Sequence, residues 1–365
     1  MSASFAFFGS SLVSAYWNGA ATYYRGLIRA LHARGHRITF YEPHAYERQE
    51  HRDISDPEWA TVVVYEPTDA AAVRAVVQRA RHAHIVVKCS GVGMFDDVLE
   101  EAVLDLAGPE IRILWDVDAP ATLGRMERDP TDALRALVPD YDLVLTYGGG
   151  DPVVRRYGAL GARRCVPIYN GLDPDTHHPA PPRSEYEADL TLLANRLPDR
   201  EARIGEFFFR AAELAPGRRF LLGGNGWEGA TPANVGLLGH VPTARHNAIN
   251  SSARAVLNVS RDSMAANGFS PATRVFEAAG AAACLITDAW EGIETFFAPG
   301  DEILVAADGA EVASLMTELD PRRAAAIGAA ARERAVAEHT YTDRAAQLEQ
   351  VLAGASEASV ATGAD

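Results

Sequence analysis

Short β-rich apolar runs alternate with longer stretches of helical periodicity along this chain, and that alternation limits the fold more than any other feature. In the first half the runs are Phe5–Phe8, Arg37–Tyr41, Thr61–Tyr65, His84–Lys88, Ile111–Trp115, Asp142–Thr146 and Cys165–Tyr169. Several are apolar almost throughout, as strands covered on both faces must be. The first intervening helix starts near Ala20, carries Tyr24, Leu27, Ile28 and Leu31 at helical spacing, and stops at Gly35. Such alternation predicts a parallel sheet with helices on both faces.

The stretch from Asp173 to Arg183 reads DPDTHHPAPPR, too rich in proline for helix or strand, and predicts a linker with His177 and His178 exposed. Alternation resumes with Asp189–Ala194, Arg219–Gly223, Ala255–Val259, Cys284–Thr287 and Ile303–Val305, separated by helical stretches that include Arg200–Leu214 and Ala272–Ala279. Asp320 before Pro321 is an N-cap with proline at the first helical position, opening a helix expected to reach Glu338. At 365 residues the chain is too long for one core. The expected organisation is a Rossmann-like domain over residues 1–175 and a second over 185–338. A helix over 339–353 is expected to pack back toward the first, and residues 354–365 to form a frayed tail. Ligands of such sheets bind at the carboxyl ends of the strands.

Composition narrows the partners. The net charge of −15 and the lack of a basic stripe argue against nucleic acid, and no run approaches the ~20 apolar residues of a membrane span. The three cysteines, Cys89, Cys165 and Cys284, sit far apart in apolar runs, which fits small core hydrophobes in a reducing compartment, the cytoplasm, and neither a disulfide framework nor a zinc site. In an acidic chain, a phosphate-bearing ligand must be met by local arginines and helix ends.

The segment Asn267–Phe297, NGFSPATRVFEAAGAAACLITDAWEGIETFF, is the most informative. Ser270 before Pro271 predicts a helix start, with Thr273 and Arg274 just inside it. The free N–H groups and partial positive charge of such an end can hold a diphosphate without metal, and Arg274 adds a forked cation. Glu277, three residues on, is placed to accept from ribose hydroxyls. The same spacing also suits a plain surface ion pair. Asp116 and Asp118 form a D-x-D at the end of a strand, a pattern that can hold a divalent ion. Asp118 is instead the candidate carboxylate for orienting or deprotonating an acceptor hydroxyl, with a turn-forming aspartate as the alternative. Gly224–Gly229 fits G-x-G-x-x-G, but no helix follows it, so the dinucleotide mechanism is not expected.

The stretch RVFEAAGAAACLITDAWEGIETFFAPGDEILV resembles the donor-binding core of CgeB-like glycosyltransferases, the spore-maturation-protein group, and more widely glycosyltransferase family 4. FFGSSLVSAYWNGAATYYRGLIRALHARGHRITFYEP, YNGLDPDTHHP and GHVPTARHNAINSSARAVLNVSR are similar to other segments of the same group. The resemblance spans about Phe5 to Tyr341. It implies a GT-B fold, two Rossmann-like domains facing each other across a cleft. It also implies transfer of a sugar from a nucleoside diphosphate sugar co-substrate to a small-molecule or glycan acceptor, with no cofactor or metal and with retention. A sugar-nucleotide epimerase and a non-catalytic donor-binding protein are the alternatives. By the resemblance, Arg196 and Arg200 line the diphosphate, and Arg261 contacts a phosphate or the base. Glu277 is the second glutamate of an E-x7-E pattern whose first member is replaced here by the stretch Asn267-Gly268-Phe269-Ser270. The loop from Gly9 and Ser10 to Asn18 and Gly19 implies acceptor or donor-phosphate contacts, with Asn18-Gly19 expected to cap the following helix.

Overall fold

A computed structural model of the chain describes residues 2–229 and 231–362. Two compact units result, one built from Met1–Tyr169 with Tyr341–Asp365, the other from Asn170–Thr340.

The first unit is a parallel sheet of β1 (Ser4–Phe8), β2 (Arg37–Pro43), β3 (Thr61–Tyr65), β4 (Ile85–Cys89), β5 (Ile111–Asp116), β6 (Leu143–Thr146) and β7 (Cys165–Pro167), in the order β3-β2-β1-β4-β5-β6-β7. Alternate residues of one strand feed two cores. Phe5 and Phe7 join Tyr23, Leu27 and Trp115 on one face, while Ala6 and Phe8 join Val73, Leu99 and Tyr157 on the other. The first of these cores is completed by Tyr341, Ala345, Leu348 and Val351, from the helix Tyr341–Thr362.

The second unit repeats the scheme with β8 (Ala188–Leu193), β9 (Phe220–Gly223), β10 (Val235–Gly239), β11 (Ala253–Asn258), β12 (Leu285–Asp288) and β13 (Leu304–Ala306), in the order β10-β9-β8-β11-β12-β13. In both sheets the strand order reverses beside the first strand of the unit, between β1 and β4 and between β8 and β11. Loops leaving neighbouring strands diverge at such a point, which leaves room for a ligand over their carboxyl ends.

Every expected strand forms, within a few residues of its expected bounds. β10 is the addition: VGLLG is short, holds two glycines and follows a proline turn, so no apolar period announces it. The segment 173–183 is no free linker. Ala180 and Arg183 donate their N–H groups to Ser251 and Ser252, Asn247 donates to the Thr176 carbonyl, and His177 is 2% exposed. Its prolines remove donors, and side chains of the helix His246–Ser252 bond much of the remaining backbone. The region Pro198–Leu214 is helical with a π-turn at Gly205–Phe209. Asp320 caps the helix Pro321–Glu338 by accepting from the N–H groups of Arg322 and Arg323. The final helix continues to Thr362, past Gly354, where fraying is expected; residues 363–365 of that expected tail lie outside the described residues. Among the described residues, no helix is long and apolar enough to cross a membrane.

Candidate functional site: an arginine cluster and a buried glutamate

In the second unit, three loops at the carboxyl edge of the sheet bring basic groups together. Arg200 stands in the helix Pro198–Ile204 after β8, Arg261 follows β11, and Arg274 lies in the first turn of the helix Thr273–Gly280. Arg200 is half-buried: one Nη donates to the Asn195 carbonyl at 3.0 Å, while the buried Nε has no hydrogen-bond partner among the described residues. Burial, then the like charge of Arg274, and with it that of Arg261, lowers its guanidinium to about 10 against the opposing pull of Asp199. It remains charged at neutral pH, with repulsive neighbours. Arg261 pairs with Asp199. Arg274 is 17% exposed, its Nη1 has no hydrogen-bond partner among the described residues, and burial lowers its pKa too, opposed by Glu277. Arg196 differs from these: it is 45% exposed and pairs with Glu201 at 2.5 Å, near the ring of Trp227.

The helix behind Arg274 opens later than expected. Ser270 is buried and donates to the Gly268 carbonyl at 2.8 Å, so it caps nothing. Gly268 (φ +70°) and Phe269 (φ +47°) turn the chain sharply, and the backbone becomes helical only at Thr273, with Ala272 as N-cap. Pro271 therefore precedes the helix and does not begin it. The available N–H groups belong to Thr273 and Arg274, on half-buried residues.

One turn further, Glu277 is 5% exposed on its side chain, and three cationic or ionisable groups surround it. His177 Nε2 lies 3.9 Å away, His246 Nδ1 3.7 Å and Arg274 Nη1 3.6 Å. Burial alone would raise this carboxyl, but His246, His177 and Arg274 together hold it well below the usual carboxylate range. The plain surface pair is thus excluded, because the glutamate is buried. Sequence reasoning missed His177 and His246. They lie 100 and 31 positions from Glu277, and only the fold joins them.

In the first unit, the loop from Gly9 to Gly19 is tied down by its own side chains. Ser10 Oγ donates to Asn18 Oδ1 at 2.9 Å, and Asn18 Nδ2 donates to the carbonyls of Ser11 and Ser14. Asn18 therefore does not cap the helix Ala21–Ala33, whose N-cap is Ala20. The buried carboxylate of Glu42 accepts from Ser11 Oγ, the Leu12 N–H and Gln49 Nε2. Gly9 answers to packing, since a Cβ there would lie 2.4 Å from the ring of Phe40. A Cβ on Gly19 would meet nothing within 4 Å among the described residues, and Trp17 is 47% exposed.

The two aspartates of the D-x-D part company. Asp116 is fully buried, and its carboxylate accepts from Ser90 Oγ, Thr122 Oγ1, the Asp118 N–H and Tyr157 Oη. Both oxygens are occupied by internal donors, which is incompatible with a metal ligand. Asp118 is half-buried at the start of the helix Ala119–Arg128 and makes no side-chain capping bond. Behind β9, Gly224–Gly229 leads into β10 and not into a helix. All three cysteines are free, Cys89 and Cys284 buried and Cys165 half-buried, and burial pushes each thiol up to about 12. They are small core groups and poor nucleophiles.

Residues 200–350 match a family model described as glycosyl transferase-like. No curated protein matches the chain. Among solved structures, sucrose-phosphate synthase from Thermosynechococcus elongatus is 14% identical, with a TM-score of 0.71 over 96% of this chain and 98% of that one. Anabaena HepE, in complex with UDP and glucose, is 15% identical, with a TM-score of 0.66 over 96% of this chain and all of its own, 100%. AviGT4, a glycosyltransferase involved in avilamycin A biosynthesis, is 16% identical, with a TM-score of 0.59 over 95% and 96%. At such identities the likeness is one of fold, the GT-B arrangement of two Rossmann-like units. Together with the glycosyl transferase-like segment, it marks the chain as a glycosyltransferase of the GT-B type.

Proposed function

We propose that this enzyme moves a sugar from a nucleoside diphosphate sugar to a small-molecule or glycan acceptor, without a divalent metal and with retention of configuration. The observation that carries the reading is Arg200. A half-buried guanidinium with like-charged neighbours and a buried Nε that has no hydrogen-bond partner among the described residues is costly unless an anion completes it. A diphosphate bridging Arg200, Arg261 and Arg274, and touching the N–H groups of Thr273 and Arg274, supplies that anion. Arg196 then stands at the rim of the phosphates, and Glu277 meets the ribose.

In the reaction, the bond from the anomeric carbon to the β-phosphate oxygen breaks and its electron pair stays on the phosphate. The acceptor oxygen bonds the same carbon, and its proton passes to the departing diphosphate or to Asp118. Positive groups fixed before the reaction stabilise the growing charge without reorganising, an effect commonly worth several kcal/mol. These guanidinium groups fill the electrostatic role that a metal ion fills in other transferases. The loop Gly9–Gly19 and Asp118 are the proposed acceptor contacts, with Ser10 and Asn18 keeping the loop in shape. A place in the CgeB-like group near family 4 fits the motif around Glu277. The replacement of the first glutamate by Asn267–Ser270 then points to altered contacts with the transferred sugar. Uridine diphosphate sugars are the first donors to test, since HepE binds UDP, and free thiols suit action in the cytoplasm.

The test is release of free nucleoside diphosphate from a panel of nucleotide sugars in EDTA, followed with and without candidate acceptors. Slow release that an acceptor accelerates is expected. Interconversion of the sugar would point to an epimerase, and binding without turnover to a non-catalytic protein. Activity abolished by EDTA and restored by Mg²⁺ would overturn the metal-free mechanism.

A further inference from the structure

We propose that His177 and His246 are positioning residues that aim the Glu277 carboxylate at the vicinal hydroxyls of the donor ribose. This rests on the ribose role proposed above and adds two residues to it. Glu277 Oε1 faces His177 Nε2 at 3.9 Å, and Oε2 faces His246 Nδ1 at 3.7 Å. Each carboxylate oxygen thus faces its own imidazole at ion-pair range, just beyond hydrogen-bond distance. The two rings lie 6.3 Å apart and 30° from parallel. Arg274 adds a third group at 3.6 Å from Oε2.

The arrangement is built and left open. Neither ring nitrogen of His177 has a hydrogen-bond partner among the described residues, and the same holds for His246 Nδ1, Arg274 Nη1 and Glu277 Oε2. Buried polar groups are rarely left so, and several orphans converging on one carboxylate mark a place that a hydroxyl-bearing ligand or water completes. His177 is brought there by close backbone approach. A Cβ on Gly280 would sit 2.7 Å from the His177 carbonyl, so only glycine lets the segment 173–178 lie against the helix Thr273–Gly280. The Asn247 side chain fastens that segment to the helix His246–Ser252 by donating to Thr176 O and accepting from the His178 N–H. Three separate elements therefore converge on a single carboxylate, more support than a packing role needs.

Calorimetry with UDP and 2′,3′-dideoxy-UDP separates this role from plain stability. The unaltered protein is expected to bind UDP about tenfold or more tightly than the dideoxy analogue, as charge-assisted bonds to ribose require. His177→Phe and His246→Phe should each shrink that ratio several-fold by weakening UDP alone, while His177→Gln and His246→Asn keep part of it. If a phenylalanine variant fails to fold, the alanine variant at the same position reads the same ratio. A ratio that collapses in Glu277→Gln but persists in all the histidine variants overturns the positioning role and leaves the ribose role standing. A ratio near one in the unaltered protein overturns both, and no UDP binding at all overturns the donor reading itself.

Discussion

Tyr157 and Asp116 meet beneath the carboxyl end of β5, the phenol donating to Oδ2 at 2.5 Å. Burial first, and the neighbouring carboxylate second, push the Tyr157 hydroxyl well above its ordinary range, so it stays a donor at every physiological pH. Tyr157→Phe leaves that carboxylate oxygen without its bond inside the core and should cost about 1.5–3 kcal/mol in stability. Urea unfolding measures the loss. UDP affinity should not move, since the arginine cluster belongs to the other unit; a large change in affinity with stability intact would sink this structural role.

Arg200 offers the opposite trade. Replacing it by Met removes a half-buried charge that its like-charged neighbours leave poorly compensated, so the free protein should be as stable as before, or more so by about 1–2 kcal/mol. Binding of nucleoside diphosphate should weaken by about 1.5–3 kcal/mol through loss of a charged hydrogen bond. Thermal midpoints taken with and without UDP report both quantities. A destabilised protein with unchanged UDP affinity would mean that Arg200 is a structural group.

How much of this was legible beforehand depends on the reach of each signal. Strand–helix alternation is local, and it yielded both sheets because Ile85–Cys89 or Leu190–Leu193 can be little other than buried strands. Arg274 and Glu277 could be paired from helical spacing alone. Ser270 misled because Ser-Pro is a genuine helix-start signal, overridden here by the positive φ of Gly268 and Phe269, which carries the chain two residues further before it coils. His177 looked exposed because prolines usually mark solvated linkers. Its burial follows from Gly280, about a hundred positions away, whose missing side chain is visible in the sequence although what it makes room for is not.

The pH dependence follows from the same histidine. Burial lowers the pKa of His177 below the value in the unfolded chain, with Glu277 opposing. From about pH 6.5 down to that lowered value, the unfolded chain binds a proton that the native protein does not, so stability falls as pH falls. Glu277 acts in the same direction further down: its carboxyl is held below the unfolded value of about 4.3, and the stability this lends is lost as pH drops past it. Urea midpoints at pH 7.5 and 5.5 should therefore differ less in His177→Phe than in the unaltered protein. Equal differences would contradict a neutral, buried ring.

Gly224 tests the loop that carries the first arginines. Its φ is +132°, and a Cβ there would come 2.0 Å from the Ala194 carbonyl, at the end of β8. Around it, Trp227 Nε1 donates to that same carbonyl at 2.6 Å, and the Arg196 N–H bonds Asn225 O at 2.9 Å. Gly224→Ala should cost about 2–4 kcal/mol through steric conflict and backbone strain, and it should impair UDP binding by moving Asn195 and, with it, Arg200. Full retention of stability, measured by thermal melting, would show that this turn relaxes freely.

The helix Tyr341–Thr362 sets an order of events during synthesis. Its Tyr341 occupies the space left by Gly26 and touches Tyr23, so the first sheet lacks part of its interior until the stretch from Tyr341 to Leu352 has left the ribosome. The intervening stretch, Asn170–Thr340, draws the described residues of its main core cluster from within itself and can settle while its predecessor waits. The sheet β1–β7 is thus made before the helix that completes it, and during that interval apolar residues such as Tyr23 and Leu27 lack part of their cover and are open to chaperones and to unwanted association.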